Sequence, residues 1–201
     1  MYQYILFNKP FQVLSQFSQE GDKLTLANFL KNLPKDVYPV GRLDYDSEGL
    51  LLLTNDNTLK HRLLEPKYKL PKTYWAQVEG EICIDAIHKL KTGVTISVNS
   101  KSYRTLPANA APLDIELIQS INDRNPPIRF RKNSPTSWLS LEITEGKNRQ
   151  VRKMTAAVNL PTLRLIRTAI ANISINDLQP GTFRNLTKAE VQNLKRTIGM
   201  Q

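Results

Sequence analysis

The single cysteine in 201 residues leaves no partner for an intramolecular disulfide. Cys83, set in "EICIDAIHKL", reads as a small buried hydrophobe on a short helix rather than as a nucleophile. No apolar run approaches the ~20 residues that a membrane-spanning helix needs. The opening "MYQYILFNKP" lacks a basic stretch followed by an apolar core, so no signal peptide is expected and a cytoplasmic protein fits. None of the eight glycines stands in a GxxxxGK[ST] arrangement, which removes the usual nucleotide-phosphate cradle. Repeats, low-complexity tracts and flexible linkers are missing too. Acidic residues are scarce in one part of the chain only. Residues 121–201 hold 14 Lys/Arg against 5 Asp/Glu, whereas residues 1–120 hold 14 against 13. The net charge of +10 is thus concentrated, and a concentrated positive field points to a polyanionic partner: RNA, DNA or an anionic membrane.

What is present reads as strands interspersed with helices. "YQYILFNKP" is rich in β-formers and stops at Pro10; "FQVLSQF" is a second short strand or extended turn. "TLANFLKNL" (25–33) has helical spacing and ends before Pro34. "LLLLTND" is an apolar run closed by turn-formers, the pattern of a strand buried on both faces. "NTLKHRLLEP" reads as a helix with Asn57 as its cap. "TYWAQVEG" alternates, with Tyr74, Ala76 and Val78 on one face. Residues 82–91 are helical by pattern, and Gly93 is their stop. "LDIELIQS" and "SWLSLEIT" both look like strands, joined by a long basic loop containing Pro126, Pro127 and Pro135. A helix is expected from the turn at Gly146 to about Asn159, then a strand over "TLRLIRTAIANISI". A last helix follows, with Thr187 and Glu190 spaced as a capping box. Without regular βαβ alternation, the fold class is α+β: a mixed, mostly antiparallel central sheet with flanking helices. Residues 1–201 are expected to form a single catalytic domain, with two subdomains around a central cleft as a variant of that arrangement.

The stretch "GRLDYDSEGLLLLTND" (41–56) sets Asp44, Asp46 and Glu48 against four leucines. A calcium loop would fit the opening acids and Gly49, but its twelfth position should be a bidentate glutamate and is Asn55. A magnesium site for phosphoryl transfer normally accompanies a phosphate cradle, and the sequence has no such motif. The plain alternative is a solvated acidic turn. Arg42 argues against it, because in extended chain Arg42 and Asp44 share a face while Leu43 points into the core. A guanidinium beside a carboxylate at the mouth of a buried strand would hold that carboxylate ionised and oriented, the state a nucleophile needs.

This stretch resembles the signature of the pseudouridine synthases, in the branch that includes the small-subunit enzyme RsuA and its large-subunit relatives. "NKPFQVLSQF" (8–17), "KTYWAQVEG" (72–80) and "EGKNRQVRKMTAAVNLPTLRLIR" (145–167) are similar to three further motifs of that family. "RNPPIRFRKNSPTSWL" (124–139) resembles the basic segment of its large-subunit members. The likeness runs, in order, over nearly the whole chain. Many relatives carry an N-terminal S4 RNA-binding module; this chain opens on the catalytic motifs, so no S4 domain is expected. The resemblance implies Asp44 as the catalytic aspartate and Tyr74 as the aromatic residue that stacks on, or exchanges a proton with, the displaced uracil. It implies Arg152 as the ion-pair partner of the aspartate, with Arg149 the alternative, and Leu165 as an apolar residue near the base. Asp46 and Glu48 are then turn-stabilising groups. Arg42, Arg124, Arg129, Arg131, Lys132, Lys147, Arg149, Arg164 and Arg167 are expected to contact RNA. The reaction it implies is an isomerisation, so no metal and no small-molecule cofactor is called for. The implied partner is 23S ribosomal RNA of the large subunit, bound by a monomer with no membrane involved. Two rival readings stand beside this: a non-catalytic RNA-binding or ribosome-assembly protein on the same fold, and a hydrolase that releases free uracil.

Overall fold

The computed structural model describes residues 1–128, 134–176 and 178–200. In chain order its strands are β1 (Tyr4–Lys9), β2 (Val13–Leu14), β3 (Leu24–Thr25), β4 (Tyr38–Pro39), β5 (Glu48–Thr54), β6 (Lys72–Glu79), β7 (Thr95–Val98), β8 (Lys101–Arg104), β9 (Asn109–Pro112), β10 (Thr136–Ile143), β11 (Thr162–Ile170), β12 (Ile173–Ser174) and β13 (Phe183–Asn185). The helices are α1 (Asn57–Leu64), α2 (Ile84–Thr92), α3 (Ile115–Gln119), α4 (Gln150–Ala156) and α5 (Lys188–Thr197), with short 3-10 turns at Leu26–Asn28 and Pro66–Tyr68. The chain divides into two compact units, Met1–Leu70 with Arg167–Gln201, and Pro71–Ile166. None of the described helices is long and apolar enough to cross a membrane.

In the first unit, β1 lies between β5 and β13, antiparallel to both, and β4 pairs antiparallel with β5. Every residue of β5 is buried, because the strand is covered on both faces. Leu50 and Leu52 pack with Leu6 of β1, with Leu59 and Leu63 of α1, with Leu194 of α5 and with Ile198 just after it. Leu51 and Leu53 point the other way, onto Ile5, Phe7, Leu26, Leu30 and Val37. Period-2 alternation thus feeds two cores from one run of leucines, each fully buried side chain contributing about 2 kcal/mol. The capping box at the start of α5 is present, as its spacing predicts.

In the second unit, β10 lies between β6 and β9, antiparallel to both. The alternation of β6 holds: Tyr74, Ala76 and Val78 are buried, and Tyr74 and Ala76 lie opposite Leu141 and Leu139. β7 and β8 form a hairpin whose turn residues, Asn99 and Ser100, both take positive φ, as a two-residue turn matched to strand twist requires.

Several local expectations are corrected. The helix read over 25–33 is only a 3-10 turn: the Asn28 side chain accepts from the Thr25 backbone N–H at 2.8 Å, and Asn32 is left-handed. Asn side chains that bond the backbone locally compete with helix in this way. "LDIELIQS" is not a strand but the short helix α3, with Asp114 at its N-cap position. Here both apolar periods fit five residues, and length alone could not decide between them. The cap of α1 is Asp56, one residue before Asn57; Asp56 Oδ1 accepts from Leu59 N at 2.9 Å. Cys83 is exposed and caps α2 through its sulfur, so it is not a core residue. The helix expected to reach Asn159 stops at Ala156, and Asn159 is left-handed.

Candidate active site

The acidic stretch of the first unit is a turn pinned at several backbone points. The Ser15 hydroxyl donates to the Leu43 carbonyl at 2.9 Å and accepts from Leu43 N–H at 3.1 Å. Gln12 N–H donates to the Tyr45 carbonyl at 2.9 Å, and Ser47 N–H closes the turn onto the Asp44 carbonyl at 3.0 Å. Leu43 is buried as expected, Asp44 and Asp46 are half-buried, and Glu48 is buried as the first residue of β5. Among the described residues no three His, Cys, Asp or Glu side chains group as a metal site would.

The cation that faces these carboxylates within the unit is not Arg42. Arg42 is exposed, and among the described residues it forms no ion pair with Asp44. The group is Lys9, fully buried at the end of β1 and opposite Gly49 in register. Its Nζ donates to the carbonyls of Val13 at 2.7 Å and Pro10 at 3.0 Å. Burial lowers its pKa from the ordinary 10.5 to about 7, against the fields of Glu48, Asp46 and Asp44, which raise it. The crowding of carboxylates therefore has a physical partner: three negative charges around one desolvated ammonium. Sequence reasoning missed Lys9 and Ser15. Both stand inside "NKPFQVLSQF", and a lysine at the end of an otherwise apolar strand was the available signal.

The low value for Lys9 gives a test. Between pH 7 and 10.5 the unfolded chain keeps a proton that the folded chain has lost, so stability should rise with pH through that window. The rise is at most about 1.4 kcal/mol per pH unit, and below pH 7 this group contributes none. Urea melts at a series of pH values should show Lys9→Met flattening the rise. Equal slopes in both proteins would refute the burial-driven shift.

The second unit carries Tyr74 and the basic helix. Tyr74 is buried in β6. Arg149 is exposed, left-handed and the first-turn cap of α4; Arg152, one turn on, is half-buried and donates from Nη1 to the Thr162 carbonyl at 3.3 Å. The turn before α4 is held by Glu145. Its carboxylate accepts from the Tyr103 hydroxyl at 2.6 Å, Leu106 N–H at 2.9 Å and Gln150 Nε2 at 2.5 Å. Gln150 in turn accepts from Lys147 N–H at 2.9 Å. Lys147 is exposed, with its ammonium 5.0 Å from the centre of the Tyr103 ring. Leu165 is buried in β11.

Two of the arginines expected to bind RNA are buried. Arg167 is 5% exposed, and its Nε donates to the Leu50 carbonyl at 2.8 Å. Arg164 is 6% exposed, donates to the Asn122 carbonyl at 2.8 Å and lies over the Trp138 ring at 5.9 Å. Both hold the structure together. Arg124 is half-buried and donates to the carbonyls of Pro126 and Pro127. Arg129, Arg131 and Lys132 lie outside the described residues.

Comparison with known proteins places these features in a family. Residues 3–157 match the family model described as RNA pseudouridylate synthase. The chain is 52% identical over 182 residues to ribosomal large subunit pseudouridine synthase E of Xanthomonas campestris pv. campestris, covering 90% of this chain and 93% of that protein. It is 48% identical over 182 residues to the synthase E of Vibrio parahaemolyticus, covering 90% of this chain and 73% of that protein. A crystal structure of a pseudouridylate synthase superposes with a TM-score of 0.77 at 27% identity, over 96% of this chain and 74% of that one. With its motifs matched in order and its fold shared, the chain belongs to the RNA pseudouridylate synthase family.

Proposed function

We propose that this protein converts a uridine of large-subunit (23S) ribosomal RNA to pseudouridine, with Asp44 as the carboxylate that acts on the ribose. The observation that carries the reading is the Asp44 turn: a half-buried carboxylate, its backbone pinned by Ser15, Gln12 and Ser47, beside a fully buried lysine. Relatives about half identical to this chain are named for the large ribosomal subunit, which supports that RNA as the substrate. In the reaction the N1–C1′ bond breaks, uracil turns, and a C5–C1′ bond forms. N1 gains a proton, C5 loses one, and nothing is oxidised or reduced. An ionised carboxylate at C1′ or C2′, with water excluded, is what breaking the first bond requires. A glycosidase needs a second carboxyl roughly 5–10 Å away to protonate an alkoxide. A uracil anion leaves more readily, so one carboxylate suffices, and the fields of Asp46 and Glu48 act on Lys9. In this reading the Tyr74 ring serves the displaced uracil and Arg152 the negative charge of the reacting aspartate. Arg42, Lys147 and Arg149, all exposed, are the phosphate contacts of this reading. The working form is a monomer in the cytoplasm.

Extruding a uridine from folded RNA costs a few kcal/mol, which stacking and phosphate contacts must offset. Binding should therefore weaken steeply as salt rises. The decisive assay incubates the protein with transcribed 23S RNA carrying C5-tritiated uridine. Tritium in water without free base supports the synthase. Free uracil would mean a hydrolase, and neither product would leave only an RNA-binding protein.

A further inference from the structure

We propose that the end of the first unit's sheet remote from Asp44 is a second RNA contact, where unpaired bases flanking the target stack on Tyr2 and Tyr38 and their phosphates meet Lys60 and Lys195. It rests on the reading of RNA as substrate and adds where the strand runs beyond the modified nucleotide.

The register sets the surface. Tyr38 of β4 and Tyr4 of β1 both lie opposite Thr54 of β5, so the three side chains share one face at the strand ends. The Tyr2 and Tyr4 rings follow one another, with centroids 6.3 Å apart and planes tilted by 59°. Lys60 Nζ stands 5.4 Å from the centre of the Tyr38 ring, and Lys195 Nζ 5.8 Å from that of Tyr4. The inner ring is fixed, its hydroxyl donating to Asp56 Oδ2 at 2.9 Å. The outer rings are open: Tyr2 is 59% and Tyr38 51% exposed. Aromatic faces left open beside lysines combine base stacking with phosphate neutralisation, the chemistry that holds single strands.

The charge balance favours an anion. α1 and α5 both finish in basic residues, His61 and Arg62 in one, Lys195 and Arg196 in the other. Neighbouring acids are engaged: Glu190 with Arg184 at 2.7 Å, Glu65 with Lys67 at 2.8 Å, and Asp56 in capping α1. Asp36 Oδ2 accepts from Asn55 at 3.1 Å. Among the described residues, Lys60, Lys195 and Arg196 form no ion pair with a carboxylate. Lys60 comes from the part of the chain whose charges balance in sequence, and only folding sets it beside the basic α5. Asp44 precedes β5 at its Gly49 end, whereas Thr54 is five residues further, about 17 Å away along an extended strand. A flanking segment of the same RNA has to cover that distance.

Two double variants test it, Tyr2→Ala with Tyr38→Ala and Lys60→Gln with Lys195→Gln, assayed on C5-tritiated 23S RNA and by filter binding over a range of salt. Loss of the rings should raise KM and the binding Kd about tenfold per ring, with kcat and the salt slope unchanged. Loss of the lysines should lower the slope of log K against log salt by about 1.4, two single-strand contacts, again with kcat unchanged. Tyr38→Ala alone, at an exposed site, provides the same readout if the double variant folds poorly. Wild-type Kd and slope in the variants, while the wild-type protein releases tritium, would overturn this surface and leave the synthase reading intact. A wild-type protein that releases no tritium, yet loses affinity and slope with these substitutions, would uphold the surface and overturn the synthase.

Discussion

Asp44→Asn should abolish tritium release, lowering the single-turnover rate by about 10⁴-fold or more, the scale seen when a group that attacks or abstracts in the rate-limiting step is removed. The substitution changes one oxygen for an amide nitrogen in a half-buried turn. The bonds that Ser15, Gln12 and Ser47 make in the turn use none of the Asp44 side-chain atoms. The fold should therefore survive. An amide can neither bond to C1′ nor take a proton from C2′, so both routes to breaking the glycosidic bond close together. RNA affinity should stay within about threefold of wild type, because phosphate and stacking contacts dominate single-strand binding. A second effect is local. Asp44 is one of three carboxylates whose fields raise the Lys9 pKa, so its loss should lower that pKa further. Turnover retained by Asp44→Asn would remove the carboxylate from the chemistry. Loss of RNA binding in parallel with activity would instead make Asp44 a structural residue.

The parts of this molecule that could be read from the chain are those where one period runs long enough to be unambiguous. Seven buried residues in β5, the alternation of β6 and the capping box of α5 each carry several independent signals. Five residues at 115–119 do not, and the strand reading failed there. The site divides the same way. The Asp44 turn stands out in the sequence because its motif is contiguous. Lys9 does not, because the carboxylates that give it a role stand some 35 positions later and reach it only through the pairing of β1 with β5. Arg164 and Arg167 show the converse. A basic residue in a basic region reads as a phosphate contact, but both are more than nine-tenths buried and donate to main-chain carbonyls. Charge is visible in sequence; the desolvation that decides what the charge does depends on strand neighbours.

Gly49→Ala should destabilise the protein by about 4 kcal/mol, combining about 1–3 kcal/mol for a strained backbone with a similar amount for overpacking. Gly49 has φ +103°, a conformation L side chains rarely adopt. A Cβ placed there would lie 2.2 Å from the Arg167 carbonyl oxygen, 2.8 Å from its nitrogen and 3.0 Å from its carbonyl carbon. These are backbone atoms of β11, so no rotamer change relieves the clash. The strands would have to part, and parting them breaks the bond from Arg167 Nε to the Leu50 carbonyl. At about 2–4 °C per kcal/mol for a chain of this size, the melting temperature should fall by roughly 8–16 °C. Gly146→Ala is the control: its φ lies outside the left-handed range and a Cβ there meets nothing within 4 Å. It should be neutral or stabilising by up to about 1 kcal/mol. Equal melting temperatures for the two variants would show that the close approach at Gly49 is not what limits this strand. The glycine also bears on the site, because it is paired with Lys9 on one side and meets Arg167 on the other. Parting β5 from β11 would disturb the strand that pairs with β1 at Lys9, and with it the setting of the buried ammonium. Gly49→Ala protein kept folded at low temperature should therefore lose turnover as well as stability.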